Sequence, residues 1–399
     1  MSIRSYTRIL FSIFVAFSLL AGSAYAADKK AKEEVLYPNA TRKDPKNDMS
    51  SSSVQKDLQK ALDLLNDNKP DEAAPLLQKI IDDPKAGKYA HSLALQGQGQ
   101  VAYDKQDTAG AIKSWRAAYD QDGLPNNQHF TLLLNIANLQ QQDEKYQDSL
   151  TTLDEYFKAT GGGKAEAYAL QGNDYYRLDK YQQAIDSITK AQSMTDKPND
   201  NWNQVLMASY AGLDQYDKAG AILEKQLAQH PGDAKLVEQA VKVYVNGRQF
   251  DKAQALLDQN KSNLSNDTLY QLYRAIGAGY SQEKDGDAKA IEAFAKASLL
   301  AKTGEVDYYR GSLLLNNDRA KEATQVIQQA ITKGGLKETG KAYLMLGDAY
   351  NQIDDLPHAR EAWTKAKGYP ESQKAAEQRL NIGGHVKMTT QPQPSKKKN

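Results

Sequence analysis

The chain of 399 residues carries 51 Lys and Arg against 50 Asp and Glu, so its formal net charge is +1. This balance excludes a global positive field that would attract nucleic acid, and we expect no nucleic-acid partner. Only 40% of the residues are hydrophobic, and the mean hydropathy is −0.71, which favours an elongated stack of small layers over one large core. The absence of cysteine excludes disulfides, thiolate metal sites and a lipid-modified N-terminal cysteine.

The first residues have the pattern of a secretory signal. Arg4 and Arg8 supply positive charge, Ile9 to Leu20 form an apolar stretch, and Ala24-Tyr25-Ala26 is a small-residue cleavage site. We therefore predict that residues 1–26 are a signal peptide cleaved after Ala26, and that the mature chain is periplasmic without stable membrane insertion. The alternative is an uncleaved membrane anchor, which the short apolar stretch and the well-formed cleavage site disfavour.

Two polar regions flank the central part of the chain. Residues 27–53 contain two prolines and a run of serines, and we predict that they form a flexible tether. Residues 383–399 end in three consecutive lysines, Lys396 to Lys398, and we predict a disordered basic tail. The alternative role for these lysines is contact with an anionic lipid or glycan, but three charges at a chain end bind weakly.

A repeat of 33 to 38 residues organises the region between these two segments. A small residue recurs in what we predict to be the second helix of each unit. These anchor residues are Ala73, Ala111, Ser149, Ala184, Ala219, Ala253, Ala290, Ala323 and Ala359. Four residues after each anchor is a large apolar side chain, and twelve residues before it is a small residue in seven of nine units. Small residues let two helices of a hairpin approach closely, and the large side chain fills the groove beside them.

The clearest unit is the run Tyr343 to Tyr350, with Leu346-Gly347 at its centre, followed by Ala359 and Trp363. This pattern resembles the tetratricopeptide repeat family. The resemblance implies an all-α fold over residues 54–382, a right-handed α-solenoid of about nine helical hairpins. A last helix, Glu371 to Leu380, would cap the exposed end of the stack. Pro75 lies within the second helix of the first unit, where we expect a kink or a late helix start.

Motifs for catalysis are missing from the sequence. Gly97, Gly99 and Ala102 have the spacing of a dinucleotide-binding turn, but the repeat pattern places them inside a helix without the preceding strand that such a turn needs. The five histidines lie in separate segments, and no two have the spacing of a helical ligand pair. We therefore expect no enzyme activity, no cofactor and no metal site.

The resemblance also implies where a partner would bind. In this family the first helix of each hairpin lines a concave groove that holds a segment of a partner protein. The matching residues are Gln96, Gln100, Tyr103, Asn135, Asn138, Gln141, Asn173, Tyr176, Arg177, Gln204 and Lys242. Amides both donate and accept hydrogen bonds, so a row of them can pair with the backbone of an extended peptide, and tyrosines add contact area. The alternative is that these side chains are ordinary solvated helix surface.

Three hypotheses for function follow. A signal peptide and a mature chain made almost wholly of divergent repeats, without a lipidated cysteine, resemble the periplasmic accessory proteins of TonB–ExbB–ExbD systems. This resemblance implies an adaptor that binds a periplasmic segment of the TonB complex and supports uptake of iron complexes. The second hypothesis is a scaffold for peptidoglycan or outer-membrane assembly. The third is a glycan-binding protein, because tyrosines and amides also recognise sugars.

Overall fold

A computed structural model describes residues 34–46, 48, 49, 51–196 and 199–382. The predicted signal peptide and the predicted basic tail lie outside these residues, and so do residues 27–33 of the predicted tether. The chain divides into two compact units, with the boundary in sequence between Leu213 and Asp214. Each unit is described by itself below.

The N-terminal unit contains nine α-helices in its described residues. The first eight form four successive hairpins in which each helix packs against the next. The hairpins are α1 (Ser52–Asn66) with α2 (Pro70–Ile81), α3 (Lys88–Asp104) with α4 (Thr108–Asp120), α5 (Asn126–Gln142) with α6 (Tyr146–Thr160), and α7 (Ala165–Arg177) with α8 (Tyr181–Ser193); α9 (Asp200–Gly212) follows. Helix α9 packs on α8, so the same stacking continues to the end of the unit.

The C-terminal unit is built in the same way. Helix α10 (Tyr216–Gln229) packs on the first of four further hairpins. These are α11 (Ala234–Asn246) with α12 (Phe250–Asn260), α13 (Asn266–Tyr280) with α14 (Asp287–Ser298), α15 (Glu305–Asn316) with α16 (Ala320–Lys333), and α17 (Thr339–Gln352) with α18 (Leu356–Lys367); α19 (Gln373–Ile382) ends the unit. A short 3-10 helix, Lys261–Asn263, follows α12. All regular elements in the described residues are helices, and the predicted all-α fold of tetratricopeptide-like hairpins is confirmed.

The predicted contact between a small residue of the first helix and a large one of the second is confirmed for Gly99, Gly172, Gly311 and Gly347. A Cβ atom added to Gly99 would lie 2.2 Å from the Trp115 ring, and one added to Gly347 would lie 2.4 Å from Trp363. Gly172 faces Ile188 in the same way. Because real Cβ atoms do not approach other atoms this closely, each glycine is what lets the large side chain of the second helix reach the first helix.

In the hairpin of α13 and α14 the predicted contact residue is wrong by one position. Ala278, twelve residues before the anchor Ala290, is exposed, and the preceding residue Gly277 packs against Phe294. Helix α13 ends at Tyr280 and α14 begins only at Asp287, which makes this turn longer than its counterparts. One additional residue between the contact position and the anchor places the contact at Gly277, thirteen residues before Ala290.

The turn inside each hairpin has a conformation that the sequence analysis missed. One residue, always five positions before the anchor, has a positive φ between 57° and 61°. These residues are Asn68, Gln106, Glu144, Asp179, Asp214, Arg248, Asp285, Asp318 and Asp354. Asp and Asn tolerate the left-handed region better than other non-glycine residues, because their short side chains bond to nearby backbone groups. Their recurrence at this offset is the local signal for the turn.

Two smaller predictions have different outcomes. Helix α2 begins at Pro70 and runs through Pro75, so the late helix start is wrong. The capping helix is confirmed as α19, which begins two residues later than predicted and packs on α18. The Arg379 guanidinium of α19 holds both carboxylate oxygens of Asp348 at 2.6 and 2.9 Å. Because Asp348 lies mostly buried on α17, this ion pair fixes the cap to the last hairpin.

A candidate peptide-binding site on the third hairpin

Part of the predicted tether is anchored on the third hairpin, formed by α5 and α6. We call residues Glu34–Asp44 the N-terminal segment. Its Tyr37 side chain is 4% exposed and packs edge-on against Phe130 of α5 and Tyr156 of α6, with ring centroids 5.3 and 5.9 Å apart. The ammonium group of Lys164 lies 5.2 Å from the Tyr37 ring centroid, in the geometry of a cation–π contact. Tyr37 is therefore an aromatic anchor in a pocket made by the hairpin.

The backbone of the segment is held by one amide side chain, Asn127, in the first turn of α5. Its Oδ1 atom accepts a hydrogen bond from the Leu36 amide at 3.0 Å, and its Nδ2 group donates to the Glu34 carbonyl at 2.8 Å. A carboxamide that uses both its donor and its acceptor on one peptide backbone binds that backbone without contacting its side chains. This is the pairing that the sequence predicted for the groove amides, made by a residue that the prediction did not include.

A second polar contact lies at the other end of the segment. The Arg42 guanidinium donates to the Asp122 carboxylate at 2.6 Å and to the Asn126 side chain at 2.7 Å. The backbone amide of Asn126, the first residue of α5, donates to the Asp44 carboxylate at 2.6 Å. Pro125 precedes this helix and offers no side-chain cap, so Asp44 supplies the acceptor, and its negative charge suits a helix N-terminus.

A cavity of about 400 Å³ lies beside Arg42. Thr41 and Arg42 of the N-terminal segment form part of its wall, and the hairpins contribute Tyr119, Asp120, Asp122, His129, Phe130 and Ala159. The His129 ring stacks on Tyr119 with centroids 4.2 Å apart. Burial and then the positive charge of Arg42 lower the pKa of His129 to about 4, so the ring is neutral at physiological pH.

The site shares a helix face with one predicted groove residue. Asn127, Thr131 and Asn138 are spaced by four and seven residues on α5, which places them on one side of the helix. The Tyr37 hydroxyl lies 3.4 Å from the Thr131 hydroxyl, so the segment covers the beginning of this face. Asn138 lies two turns further along, and its Oδ1 atom is a buried acceptor with no hydrogen-bond partner among the described residues.

On α3 the predicted groove residues are more accessible. Gln96 and Gln100 are partly buried, and Tyr103 is 41% exposed. The Gln100 side chain donates to Asp104 at 2.6 Å, and its Oε1 atom is another buried acceptor without a partner in the described part of the chain. Gln100 and Asn138 both lie eleven residues before their anchors, so two successive hairpins present an amide oxygen at the same repeat position.

Three of the predicted groove residues are buried. Asn135, Gln141 and Asn173 are 6 to 8% exposed, and the last two belong to a hydrogen-bond network between the third and fourth hairpins. The Gln141 side chain donates to the Asp174 carboxylate at 2.6 Å and accepts from Asn173 at 3.2 Å. Burial raises the pKa of Asp174 to about 7, against the lowering effect of its hydrogen bonds. These amides join hairpins to each other, which is a structural role.

The remaining predicted residues are distributed over both units. Tyr176 and Arg177 lie at the end of α7, with Tyr176 partly buried and Arg177 exposed, and Gln204 is exposed on α9. Lys242 is exposed on α11 of the C-terminal unit and pairs with Glu238 one helical turn away. The structure therefore brings Gln96, Gln100 and Tyr103 together on α3, whereas Lys242 belongs to the other unit.

The residues that hold the N-terminal segment were missed by the sequence analysis. Tyr37 belongs to Val35-Leu36-Tyr37, a short apolar run within a polar region, and such a run is the signal that could have found it. Asn127 and Asn126 follow Pro125 at a predicted helix start, where asparagine is common for capping alone. Nothing in the sequence distinguishes a capping asparagine from one that binds another segment.

The described residues also bear on other classes of site. Within residues 34–382, leaving out the four positions that are not described, no helix has both the length and the apolar character of a membrane span. The same residues form no group of three or more His, Asp or Glu side chains that could hold a metal ion.

Comparison with known proteins gives matches to repeat proteins. Residues 58–131 and residues 210–275 each match a family model described as tetratricopeptide repeat. Cellulose synthase operon protein C of Pseudomonas fluorescens is 26% identical over 175 residues, which cover 40% of this chain but only 14% of that protein. The Sel1-repeat-containing protein YjcO of Escherichia coli is 25% identical over 177 residues, covering 41% of this chain and 74% of YjcO.

Solved structures that resemble the chain include the crystal structure of MamA and a tetratricopeptide repeat protein from Parabacteroides merdae. MamA aligns with a TM-score of 0.38 and 20% identity over 43% of this chain and 91% of its own. The Parabacteroides merdae protein aligns with a TM-score of 0.34 and 14% identity over 74% of this chain and 98% of its own.

Proposed function

We propose, from the premise that this chain is a tetratricopeptide-repeat protein of the protein-interaction type, that it is a non-enzymatic adaptor. Its ligand would be an extended segment of a partner protein bound along the first helices of the N-terminal unit. The residues for this contact are Gln96, Gln100 and Tyr103 on α3, Asn138 on α5, and Tyr176 and Arg177 on α7.

One observation carries the proposal: the third hairpin already holds a peptide, the chain's own N-terminal segment. The Asn127 amide pairs with the peptide backbone in both directions, and the segment lies on the same face of α5 as Asn138. A partner segment that continues along this face would meet the partly buried side chain of Asn138 and then, on the preceding hairpin, that of Gln100, and each amide oxygen would turn outward to accept from it. Amide acceptors of this kind suit backbone N–H donors.

The cellular setting that we propose is the periplasm, with signal cleavage after Ala26, and the partner that we propose is a periplasmic segment of a TonB complex. The secretory pattern of the first residues and the overall layout of the chain support this proposal. A scaffold for peptidoglycan or outer-membrane assembly and a glycan-binding protein are the alternatives. The three proposals use the same surface and differ in the partner that it would bind.

Photo-crosslinking in living cells tests the proposal. A photoreactive amino acid placed at Gln100, Asn138 or Tyr176 should capture a partner protein, as should one at Lys242 if binding extends to the second unit. Matched controls are Lys113 on α4 and Lys190 on α8, which are exposed on second helices. Capture of TonB-complex proteins supports the first setting, and capture of envelope-assembly proteins supports the second. Equal capture from the first-helix and second-helix positions would show that the first-helix surface is not the binding site.

A further inference from the structure

We propose that the third hairpin is a sequence-selective peptide site for segments that carry a tyrosine and, five residues later, an arginine. The N-terminal segment, with Tyr37 and Arg42, is its ligand in cis, and a partner segment of the same chemistry displaces it. This inference rests on the proposed function and deepens it, because it names the class of ligand for one part of the binding surface.

The selectivity follows from two side-chain pockets at a fixed distance. At one end Phe130 and Tyr156 take an aromatic ring edge-on, and the Thr131 hydroxyl lies near its phenol oxygen. Aromatic pairs in this geometry contribute about 0.5–1.5 kcal/mol beyond simple burial. At the other end Asp122 and Asn126 accept hydrogen bonds from a guanidinium, which presents several donors in one plane.

On the N-terminal side of Tyr37 the hairpin also bonds to the backbone of the segment. Asn127 bonds to the amide of Leu36 and the carbonyl of Glu34, and neither side chain is needed for these bonds. A Cβ atom on Gly161 would lie 2.8 Å from the Asn39 carbonyl, so the absence of a side chain there lets the backbone of the segment pass close to the end of α6. A turn at Pro38 and Asn39, in which the Ala40 amide donates to the Tyr37 carbonyl at 3.2 Å, sets the separation of the tyrosine from the arginine.

The contacts of the segment are few enough for exchange. Within the N-terminal segment only Tyr37 is buried, and the apolar side chain of Val35 is 69% exposed. Most of the other contacts are polar bonds at the surface, which a competing peptide or water can replace at low cost. Covalent connection to α1 keeps the local concentration of the segment high, so the site is filled in the isolated protein.

The segment also leaves part of the site empty. The cavity of about 400 Å³ beside Arg42 is bounded by the small side chain of Thr41 and by the stacked Tyr119 and His129 rings. A competing peptide with a larger side chain at the position of Thr41 would fill this space and gain burial that the cis segment lacks. The site is therefore larger than its resident ligand.

The test uses the full-length chain with its own segment released by the double substitution Tyr37→Ala and Arg42→Ala. A fluorescein-labelled synthetic peptide of residues 34–46 is titrated with this variant and with the unmodified chain, and binding is followed by fluorescence anisotropy. We expect the variant to bind the peptide at least about tenfold more tightly than the unmodified chain, in which the cis segment competes. A peptide with alanine at both key positions is the matched control and should not bind.

Circular dichroism of the double variant shows whether it keeps its helices. If it does not, Arg42→Ala alone carries the test, because that variant keeps the buried Tyr37 ring and still weakens the competitor. Absence of peptide binding to a folded variant overturns the inference, and so does equal binding of the control peptide. Loss of binding on Asn127→Leu, with unchanged helix content, supports it further.

The two proposals fail separately. Peptide binding without any cellular crosslink from Gln100, Asn138 or Tyr176 supports the site and contradicts the adaptor function. Crosslinks from these positions, together with no peptide binding to the released hairpin, support the adaptor function and overturn the inference about the tyrosine and arginine ligand.

Discussion

Asp174 in the N-terminal unit and Asp307 in the C-terminal unit are both buried, but their carboxylates have different partners. In the N-terminal unit Asp174 is fully buried, and its carboxylate accepts a hydrogen bond from the neutral amide of Gln141 at 2.6 Å. In the C-terminal unit Asp307 is equally buried, but the ammonium group of Lys333 lies 2.8 Å away and also bonds to the Ser298 carbonyl. A repeat architecture thus tolerates both a neutral and an ionic junction at similar burial.

The same difference extends to the second helices of the C-terminal unit. Three lysines each pair with an aspartate of the preceding second helix and lie over a tyrosine ring at 5.5 to 5.6 Å. These contacts, which we call the lysine ladder, are Lys252 with Asp217 and Tyr244, Lys289 with Asp251 and Tyr280, and Lys296 with Asp258 and Tyr273. The N-terminal unit has a contact of this kind made by an arginine, Arg116 with Glu155 and Tyr119, and it also has the aromatic cluster around Tyr37. We therefore expect the two units to respond differently to pH and salt.

The largest effect should come from removing a partner of the ionic junction. Lys333→Ala leaves the Asp307 carboxylate buried without its cation, and we expect the free energy of unfolding of the C-terminal unit to fall by about 3–5 kcal/mol. Chemical denaturation followed by Trp363 fluorescence measures it. The matched control is Lys302→Ala, whose ion pair with Asp267 is more than 80% exposed on average and should contribute less than about 1 kcal/mol. If Lys333→Ala and Lys302→Ala lowered the free energy of unfolding equally, burial of the Asp307 carboxylate would not make its ion pair more important than an exposed one.

Removing the ionisable group of Asp174 should have the opposite effect, because it should stabilise the N-terminal unit. The folded-state pKa of Asp174 is raised from 3.8 to about 7, so the stability linked to its protonated form is present below pH 4 and is lost as pH rises to about 7. Three pKa units correspond to at most about 4 kcal/mol. Asp174→Asn should therefore stabilise the N-terminal unit at pH 8 and change little at pH 4, measured by denaturation at both values. If Asp174→Asn instead lowered the stability at pH 8, the Asp174 carboxylate would not lie in a buried environment without a neighbouring cation.

The lysine ladder gives a smaller effect that depends on salt. Lys289→Gln removes one half-exposed ion pair and one cation–π contact, and we expect a loss of about 1 kcal/mol at low salt. In molar salt the screening length falls to roughly 3 Å, so most of the ionic part should disappear. Hydrogen exchange of α12 and α14 amides reports the effect locally, and α5 amides are the internal control. Equal salt sensitivity of both sets of amides would contradict the comparison.

The smallest effect concerns the pKa of one histidine. Burial is the main reason why the pKa of His129 is only about 4, and the nearby Arg42 guanidinium lowers it further. Arg42→Gln should therefore raise this pKa, which NMR titration of the imidazole protons measures. The other described histidines are controls that should not move. An unchanged His129 pKa would mean that the N-terminal segment does not bring Arg42 to this site in solution.

Much of the fold could be predicted because its main contacts are local in sequence. The pairing of Gly99 with Trp115 spans one turn between two adjacent helices, so it recurs at the same spacing in Gly172 with Ile188 and Gly347 with Trp363. Where the turn is longer, as between Tyr280 and Asp287, the same rule pointed to Ala278 instead of Gly277. The spacing rule holds as long as the turn length is constant.

The candidate site was predicted less well because its contacts are distant in sequence. Leu36 and Asn127 are 91 residues apart, and no periodicity relates a polar segment to a helix start three hairpins later. Likewise, the sequence places Gln141 and Asn173 at groove positions, but their burial depends on how the third and fourth hairpins pack. An amide at a repeat position can face solvent or the next hairpin, and composition does not distinguish the two.

The sequence by itself determined the all-α repeat architecture, the register of its hairpins and the capping helix. These depend on side-chain size and turn residues at short, repeated spacings, and Asp354 and Gly347 illustrate both in the last hairpin. Only the tertiary structure decided which polar residues are available and which are buried, and that Tyr37 and Arg42 fasten the N-terminal segment to the third hairpin. The physical reason is that burial and long-range pairing depend on the packing of separate hairpins, which no single repeat encodes.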